Sequence, residues 1–283
     1  MTDKIIAYQG TEGANSNLAC TTFYPDFKAK AFDSFFDVFR SVENGEVSYG
    51  MIPLENSYAG RVAEIHELLQ DSKVSIVAEH FFAISHNLVA TKDAKLEDIK
   101  EVYSHPQALT QCQGNLRLMK LQINEFSNTA KAAQYIASSQ DKTKAAICSK
   151  MAADLYDLKV IKENMQDLGN ENITVFIVIA AKQAEIDPNS SLVNTSLLFT
   201  IRNVPGALYK ALGGFATNNV SMLKIESYIP GGVSRQAKFF ITIEGHPNQR
   251  NVALALEEMA FFCKSVKMLG VYLADKTRSE KCE

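Results

Sequence analysis

The stretch that decides the fold reads Ile52-Pro53-Leu54-Glu55-Asn56-Ser57-Tyr58-Ala59-Gly60-Arg61-Val62. Apolar residues 49–52 predict a buried strand before this loop, and residues 62–69 predict a helix after it. The loop between them carries a carboxylate, an amide, a hydroxyl and a guanidinium. In open α/β sheets, small ligands bind at loops that follow the carboxyl ends of strands. The stretch therefore predicts a small-molecule site on an α/β sheet.

The alternation of strand and helix continues along residues 1–181. Strands are predicted at residues 5–8, 47–52, 74–77, 86–90, 101–103, 122–126, 145–148 and 173–181, and helices at residues 34–44, 106–119, 129–138 and 149–156. This order is typical of a mainly parallel sheet with helices on its faces. Polar turns lead from strand ends into helix starts at residues 10–16, 55–61, 104–107 and 127–129. Because helix N-termini favour anions, these turns would together form a pocket for a carboxylated small molecule if they converge.

A second domain is predicted after a polar, non-periodic linker at residues 182–194. Its elements are a strand at 195–201, a helix at 205–218, strands at 222–229 and 237–244, a helix at 250–262 and a strand at 265–272. The order βαββαβ is that of the ferredoxin-like unit. Its sheet leaves one face and an edge free, so we expect a second copy of the chain to cover them. Residues 275–283 are charged and predict a tail.

Composition excludes several classes of partner. The 283 residues carry a net charge of −3 and no basic run, which argues against nucleic acid and acidic membrane surfaces. No apolar run is long enough to cross a bilayer, and the first residues lack a signal-peptide layout, so we expect a cytoplasmic domain. The five cysteines and five histidines are dispersed, without CxxC, HxH or HxxxH spacing. We therefore predict reduced thiols, no disulfide framework and no metal.

Four motifs, in this order and spacing, resemble those of prephenate dehydratase. The first is the glycine turn Gln9-Gly10-Thr11-Glu12-Gly13-Ala14-Asn15-Ser16, and the second is Pro53-Leu54-Glu55-Asn56-Ser57 followed by Gly60-Arg61-Val62. The third is Ser104-His105-Pro106-Gln107-Ala108-Leu109 with Gln111-Cys112, and the fourth is Asn172-Ile173-Thr174-Val175-Phe176. The fourth departs from the family pattern, since Val175 stands where the family has arginine. This substitution removes a permanent cation that would neutralise a dianionic substrate or position Thr174.

The resemblance implies a two-lobed, periplasmic-binding-protein-like catalytic region at residues 1–181 with mainly parallel sheets, and a ferredoxin-like ACT regulatory domain at residues 195–274. The implied reaction converts prephenate to phenylpyruvate with loss of water and carbon dioxide, and needs no cofactor. Thr174 is the implied catalytic residue, and it would need a partner that polarises its weakly acidic hydroxyl. The implied substrate-binding residues are Gly13, Ala14, Asn15, Glu55, Asn56, Ser57, Arg61, Ser104, Gln107, Thr129 and Phe176. Arg61 is the nearest motif cation.

The resemblance also implies feedback inhibition by L-phenylalanine, bound between ACT domains of a homodimer or homotetramer. The residues at the two effector motifs are Gly206, Ala207, Leu208, Glu226 and Ser227. In the second motif, Tyr228 and Ile229 replace the Arg-Pro found in many members of the family.

Simpler interpretations stay open for several of these residues. Glu55 would cap a turn, Asn56 and Ser57 would satisfy backbone groups, Thr129 would cap a helix, and Glu226 would pair with a neighbouring strand. His105 suits a structural or a substrate-facing place equally. Two other functions compete with the first: arogenate dehydratase, and an inactive amino-acid sensor on the same scaffold.

Overall fold

The computed structural model describes residues 4–167, 172–229 and 236–279. Three sheets account for most of the chain, and helices alternate with the strands of the first two. The predicted α/β region and the predicted βαββαβ domain are both confirmed, with mixed rather than mainly parallel sheets. Among the described residues, no helix is both long and apolar enough to span a membrane.

The first sheet has the strand order β2-β1-β3-β11-β5, with the short β4 paired to β3. Its strands are β1 (Ile5–Gln9), β2 (Lys28–Phe32), β3 (Tyr49–Asn56), β4 (Gly60–Arg61), β5 (Ser75–Ala83) and β11 (Ile173–Ala180). Its helices are α1 (Asn15–Phe23), α2 (Phe35–Glu43) and α3 (Ala63–Asp71). β1 pairs with β2 in parallel, while β3 and β4 form an antiparallel hairpin. This hairpin holds the motif from which the fold was predicted.

The second sheet has the strand order β10-β6-β9-β7-β8. Its strands are β6 (Asn87–Ala90), β7 (Glu101–Ser104), β8 (Gln122–Glu125), β9 (Lys144–Cys148) and β10 (Lys159–Lys162). Its helices are α4 (Pro106–Gln111), α5 (Gln113–Met119), α6 (Thr129–Ser139) and α7 (Lys150–Leu155), and a 3₁₀ turn covers Leu96–Asp98. Two apolar clusters, one with α4 and α5 and the other with α6 and α7, bury the sheet.

The third sheet is antiparallel, in the order β13-β14-β12-β15. Its elements are β12 (Val193–Ile201), α8 (Ala207–Thr217), β13 (Met222–Tyr228), β14 (Lys238–Glu244), α9 (Arg250–Phe262) and β15 (Cys263–Leu273). The apolar side chains of both helices pack on the sheet. A last short helix, α10, covers Lys276–Ser279.

The chain divides into two compact units whose boundaries differ from those of the predicted domains. The first unit comprises Met1–Val38, Met51–Val62 and Phe81–Phe176, and the second comprises Phe39–Gly50, Ala63–His80 and Ile177–Glu283. Close contacts explain why α3 belongs with the third sheet. The Lys267 ammonium donates to the carbonyls of Leu69, Gln70 and Ser72 at 2.7, 2.8 and 2.5 Å.

Several predicted boundaries are wrong for identifiable reasons. The helix predicted at residues 106–119 is interrupted at Cys112, whose ψ of 11° is not helical. The predicted linker ends early, because β12 begins at Val193. Part of the predicted tail is helical and held down, since the guanidinium of Arg278 donates to both carboxylate oxygens of Glu79 at 2.8 and 2.9 Å. The rest of that tail and Cys282 lie outside the described residues.

Candidate active site

A cavity of about 550 Å³ lies within the first unit. Its walls come from the turns after β1, β3, β7 and β8, and from the start of β11. The predicted residues that line it are Ala14, Asn15, Glu55, Asn56, Arg61, Gln107, Thr129, Thr174 and Phe176. Helices α1, α4 and α6 begin at this cavity, so the positive ends of their dipoles favour an anionic ligand there.

The charged residues of the cavity lie side by side on the β3–β4 hairpin. Glu55 is the register partner of Arg61 across the two strands, and Asn56 is the partner of Gly60. Arg61 is exposed and supplies the cation among the described residues that line the cavity. The hairpin thus presents a guanidinium next to a carboxylate. This pair can bind a carboxylate and, on the same ligand, a hydroxyl group.

Thr174 faces the cavity from the start of β11 and is nearly buried. Its Oγ1 lies 3.0 Å from Nδ2 of Asn56, which donates to it. The same Nδ2 lies 2.9 Å from Oδ1 of Asn172 and 3.2 Å from the carbonyl oxygen of Ile173. An amide N–H can only donate, so Thr174 accepts this bond and keeps its own proton for another acceptor. Asn56 is therefore the polarising partner that a threonine acid needs.

A buried amide network extends from Asn56 along the wall of the cavity to Gln111 and His86, which also line it. Nε2 of Gln111 lies 3.3 Å from Oδ1 of Asn56, and Nδ2 of Asn172 lies 3.1 Å from Oε1 of Gln111. Nε2 of His86 lies 2.6 Å from the same Oε1. Burial lowers the pKa of His86 below its ordinary value of 6.5, against the opposing effect of its Gln111 hydrogen bond. The imidazole is therefore neutral at neutral pH.

The sequence did not single out Gln111, Asn172 and His86. Gln111 and Asn172 stand inside the quoted motifs, yet an amide side chain alone indicates no role. His86 is 25 residues from Gln111 along the chain, so only the fold brings the two together. His105 both lines the cavity and caps α4, since its Nδ1 accepts from the N–H of Gln107 at 3.2 Å.

Three predicted substrate-binding residues do not line the cavity. Gly13 has φ of 83° and its carbonyl accepts from Oγ of Ser149 at 3.0 Å. Ser57 bonds the main chain of Ile173 twice, as a donor through its N–H at 2.9 Å and as an acceptor through Oγ at 3.0 Å. The third, Ser104, is fully buried. All three have structural contacts, and their role in substrate binding stays a prediction from the sequence.

Ser104 has a clear structural role. Its Oγ donates to the carbonyl oxygen of Ile147 at 2.6 Å and so joins β7 to β9. The single proton of this hydroxyl is thus committed within the protein, and the residue has no exposed surface.

Val175 does not remove a charge from the cavity, as its place in the motif had suggested. Side chains alternate between the two faces of a strand. Thr174 and Phe176 line the cavity, so Val175 lies on the opposite face of β11, where it is buried. A cation at position 175 would therefore not face a ligand in this cavity.

Within the described residues, no group of three or more metal-ligating side chains is present.

The predicted effector residues occupy the second unit. Gly206 caps α8 with φ of 72°, Ala207 is buried and Leu208 packs against the third-sheet core. Ser227 lies on β13 opposite Phe239 of β14. Glu226, on the same strand, already has partners within the unit.

The carboxylate of Glu226 lies close to two side-chain nitrogens. Its Oε2 lies 2.9 Å from Nε2 of the fully buried His66 on α3, and its Oε1 lies 3.2 Å from Nζ of Lys224. Desolvation raises the pKa of Glu226, but the hydrogen bond from His66 and the charge of Lys224 outweigh it and leave this pKa below its ordinary value. The carboxylate is therefore ionised at neutral pH.

A two-lobed α/β region with an anion-favouring cavity, joined to a βαββαβ domain, defines an enzyme that acts on a small carboxylic acid and carries a regulatory module. A family model described as "PDT: Prephenate dehydratase" matches residues 6–184. The chain belongs to the prephenate dehydratase family, and is thus a carbon–oxygen lyase of phenylalanine biosynthesis.

Individual proteins match over almost the whole chain. A bifunctional N-acyl-homoserine lactone acylase/prephenate dehydratase of Komagataeibacter europaeus is 37% identical over 98% of each chain. Arogenate dehydratase 2 of Petunia hybrida is 34% identical, over 95% of this chain and 72% of its own. The structure of prephenate dehydratase from Arthrobacter aurescens in complex with L-Phe superposes with a TM-score of 0.86 at 25% identity, over 95% of this chain and 90% of its own.

Proposed function

We propose that this cavity converts prephenate to phenylpyruvate, with the hydroxyl of Thr174 as the proton donor. The observation that carries the proposal is the 3.0 Å bond in which Thr174 accepts from Asn56 while it faces the cavity. The bond increases the acidity of the hydroxyl and leaves its proton free. Aromatisation of the ring supplies most of the driving force, so a positioned donor is what the protein must add.

The proposed reaction expels the ring hydroxyl and the ring carboxylate from the same substrate ring. Thr174 donates a hydrogen bond, and then the proton, to the ring hydroxyl as its carbon–oxygen bond breaks. The ring carboxylate leaves as carbon dioxide, and its bonding electrons complete the aromatic ring. Water returns a proton to the threonine oxygen. Atoms and charge balance without an external oxidant or reductant.

We propose that Arg61 and the helix N-termini hold the two substrate carboxylates. The guanidinium lines the cavity beside Glu55, and the starts of α1 and α6 supply N–H groups around Asn15 and Thr129. Thr129 is the first residue of α6, and its capping residue is Asn128, whose Oδ1 accepts from the N–H of Lys131 at 2.7 Å. The Thr129 hydroxyl is therefore not the cap of α6, which supports a role toward the ligand.

We also propose that L-phenylalanine inhibits the enzyme from the third-sheet domain. The bound L-Phe in the Arthrobacter aurescens relative supports this, as do Gly206 at the start of α8 and the ionised Glu226 on β13. Homodimer or homotetramer formation through these domains, and a place in the cytoplasm, stay predictions from the sequence.

The experiment that tests the substrate compares prephenate with arogenate, the substrate named for the Petunia hybrida relative. We expect prephenate to be converted far faster than its spontaneous decay and with a higher kcat/KM than arogenate. A higher kcat/KM on arogenate would make the chain an arogenate dehydratase. If neither substrate is converted faster than it decays spontaneously, the inactive sensor is favoured and the proposal is overturned. Hydrolysis of an N-acyl-homoserine lactone at a higher kcat/KM than prephenate would also overturn it.

A further inference from the structure

We propose that His86 and Gln111 are positioning residues that act together with the backbone N–H groups of Tyr58 and Ala59 to hold the Asn56 amide in the orientation that leaves the hydroxyl proton of Thr174 free for the substrate. They act through Asn56, along one chain of hydrogen bonds whose direction is fixed at every link. The inference rests on the proposed role of Thr174 as proton donor. The direction of these hydrogen bonds determines whether Thr174 can act as a proton donor, because a hydroxyl that donates to a protein carbonyl cannot give the same proton to a leaving group.

The direction is set first at Asn56, by the main chain. The backbone N–H groups of Tyr58 and Ala59 lie 3.0 and 3.1 Å from one end of its side-chain amide. A backbone N–H can only donate, so that end is the carbonyl oxygen. The other end, which faces Thr174, is therefore the NH₂ group, which cannot accept. Thr174 has to accept from it.

The orientation of Gln111 follows from that of Asn56. One end of the Gln111 side chain lies 3.3 Å from Oδ1 of Asn56, a carbonyl oxygen, and must be the NH₂ group. The opposite end is then the oxygen Oε1. Asn172 agrees with this assignment, because its Nδ2 donates to that oxygen at 3.1 Å while its Oδ1 accepts from Asn56 at 2.9 Å. The three side-chain amides are thus consistent with one direction of hydrogen bonding.

The orientation of Gln111 in turn determines where the proton of His86 lies. Nε2 of His86 is 2.6 Å from Oε1 of Gln111, so Nε2 must carry the proton. With the proton on Nδ1 instead, two lone pairs would face each other at this distance. Rotation of the Gln111 amide would relieve this repulsion, but it would place the Gln111 oxygen against the side-chain oxygen of Asn56. The Nε2–H of His86 is therefore the donor at the far end of this series of hydrogen bonds.

The chain also joins the two connections between the first and second sheets. His86 lies between β5 and β6, and Asn172 lies between β10 and β11. The N–H of Ile84 donates to the carbonyl of Asn172 at 2.7 Å, which ties these connections together. Gln111 ends α4, beside the second sheet. The donor state of Thr174 thus depends on residues from both lobes of the first unit.

The direct test is the tautomer of His86 in the wild-type protein. Histidine labelled with ¹⁵N reports by its chemical shifts which ring nitrogen carries the proton, and His86→Gln assigns the signal. We expect a neutral ring protonated at Nε2 at neutral pH. A ring protonated at Nδ1 would overturn the proposal, whatever the variants do.

The kinetic test compares a variant that keeps the donor with one that loses it. His86→Gln places an amide N–H near the position of Nε2, whereas His86→Leu leaves Oε1 of Gln111 without that donor. We expect kcat on prephenate to fall roughly ten-fold in His86→Leu, about the contribution of one hydrogen bond, with KM nearly unchanged. We expect His86→Gln to regain most of the rate. Equal losses in both variants, or a loss confined to KM, would overturn the proposal.

Gln111→Glu supplies a second variant of nearly unchanged shape. Its carboxylate sets an acceptor against Oδ1 of Asn56, so we expect kcat to fall about 10–100-fold, the range for a buried group left unsatisfied. The control is Gln113→Glu, the same change at an exposed position at the start of α5, where we expect no loss. Equal rates for the two variants would overturn the proposal.

The role of Thr174 is tested separately, in the Thr174→Ala background. There His86→Leu should cause no further loss of kcat, because the group it positions is gone. A further ten-fold loss would show that His86 acts elsewhere and overturn the relay. If Thr174→Ala alone keeps the wild-type rate, the proposed proton donor fails instead, even with the expected tautomer of His86.

Discussion

The proposed proton donor of this cavity is a hydroxyl, and a hydroxyl is a poor acid until its surroundings change it. Thr174 accepts from the NH₂ of Asn56, whose own orientation two backbone N–H groups fix. The sequence predicted Thr174 and Asn56, but could not predict the bond between them, since 118 residues separate them. Gln111 and His86 escaped prediction because neutral amides and lone histidines indicate a role only once they meet in space. Val175 was misjudged for a simpler reason, which is the alternation of side chains along β11.

Removal of the Arg61 guanidinium should weaken substrate binding. A charge-assisted bond to a carboxylate is lost in Arg61→Ala, so we expect kcat/KM on prephenate to fall about 10–100-fold, mainly through KM. Arg117→Ala removes the same side chain from an exposed place on α5 and serves as the control. Steady-state kinetics of both variants test this prediction. Equal kcat/KM values for them would contradict the assignment of Arg61 to substrate binding.

The strands and helices form where apolar periodicity and capping residues predicted them, and the errors fall at elements with weak local signals. β2, with the sequence Lys28-Ala29-Lys30-Ala31-Phe32, was not predicted because a charged edge strand has little apolar pattern. β10 was missed for the same reason, as it is a four-residue edge strand with lysine at both ends. The turn after β1 was predicted as a ligand-binding turn. Its Gly13 instead carries a contact between the lobes of the first unit.

Gly13→Ala should destabilise the protein more than the same change at Gly45. Both glycines have positive φ, 83° and 71°, so alanine costs about 1–2 kcal/mol of backbone strain at either position. At Gly13 the new Cβ would also lie 3.2 Å from Cβ of Ala152, whereas at Gly45 nothing lies within 4 Å. Urea unfolding of the two variants measures the difference. Equal free energies of unfolding would show that α7 moves aside without cost.

In the whole molecule, the third-sheet domain and the segment that follows the Arg61 loop belong to the same compact unit. Helix α3 begins two residues after Arg61, and Nε2 of its His66 lies 2.9 Å from Oε2 of Glu226 on β13. The sequence predicted both domains but not this grouping, because packing between distant segments leaves no periodic signal. Glu226 was expected either to contact the effector or to pair with a neighbouring strand. The structure gives it partners on α3 and on its own strand.

The contact between His66 and Glu226 offers a way for an effector to act on the segment that follows the Arg61 loop. A phenylalanine amino group that binds Glu226 would compete with His66, and this inhibits the enzyme if the effector binds one state of the protein more tightly than another. We therefore expect Glu226→Gln to raise the phenylalanine concentration for half-maximal inhibition by about ten-fold, relative to the uninhibited rate of the same variant. Glu257→Gln, at an exposed site on α9, is the control. Unchanged inhibition in Glu226→Gln would contradict a role for this carboxylate in regulation.

The most direct measurement of the central claim is single-turnover conversion of prephenate by the wild-type protein and by Thr174→Ala, with substrate binding measured in parallel. If the threonine proton expels the ring hydroxyl, the alanine variant should bind prephenate about as tightly as wild type and convert it about 10²–10⁴-fold more slowly. Thr174→Ser, which keeps the hydroxyl, should recover much of the rate. A Thr174→Ala protein that forms phenylpyruvate at the wild-type rate would contradict the account.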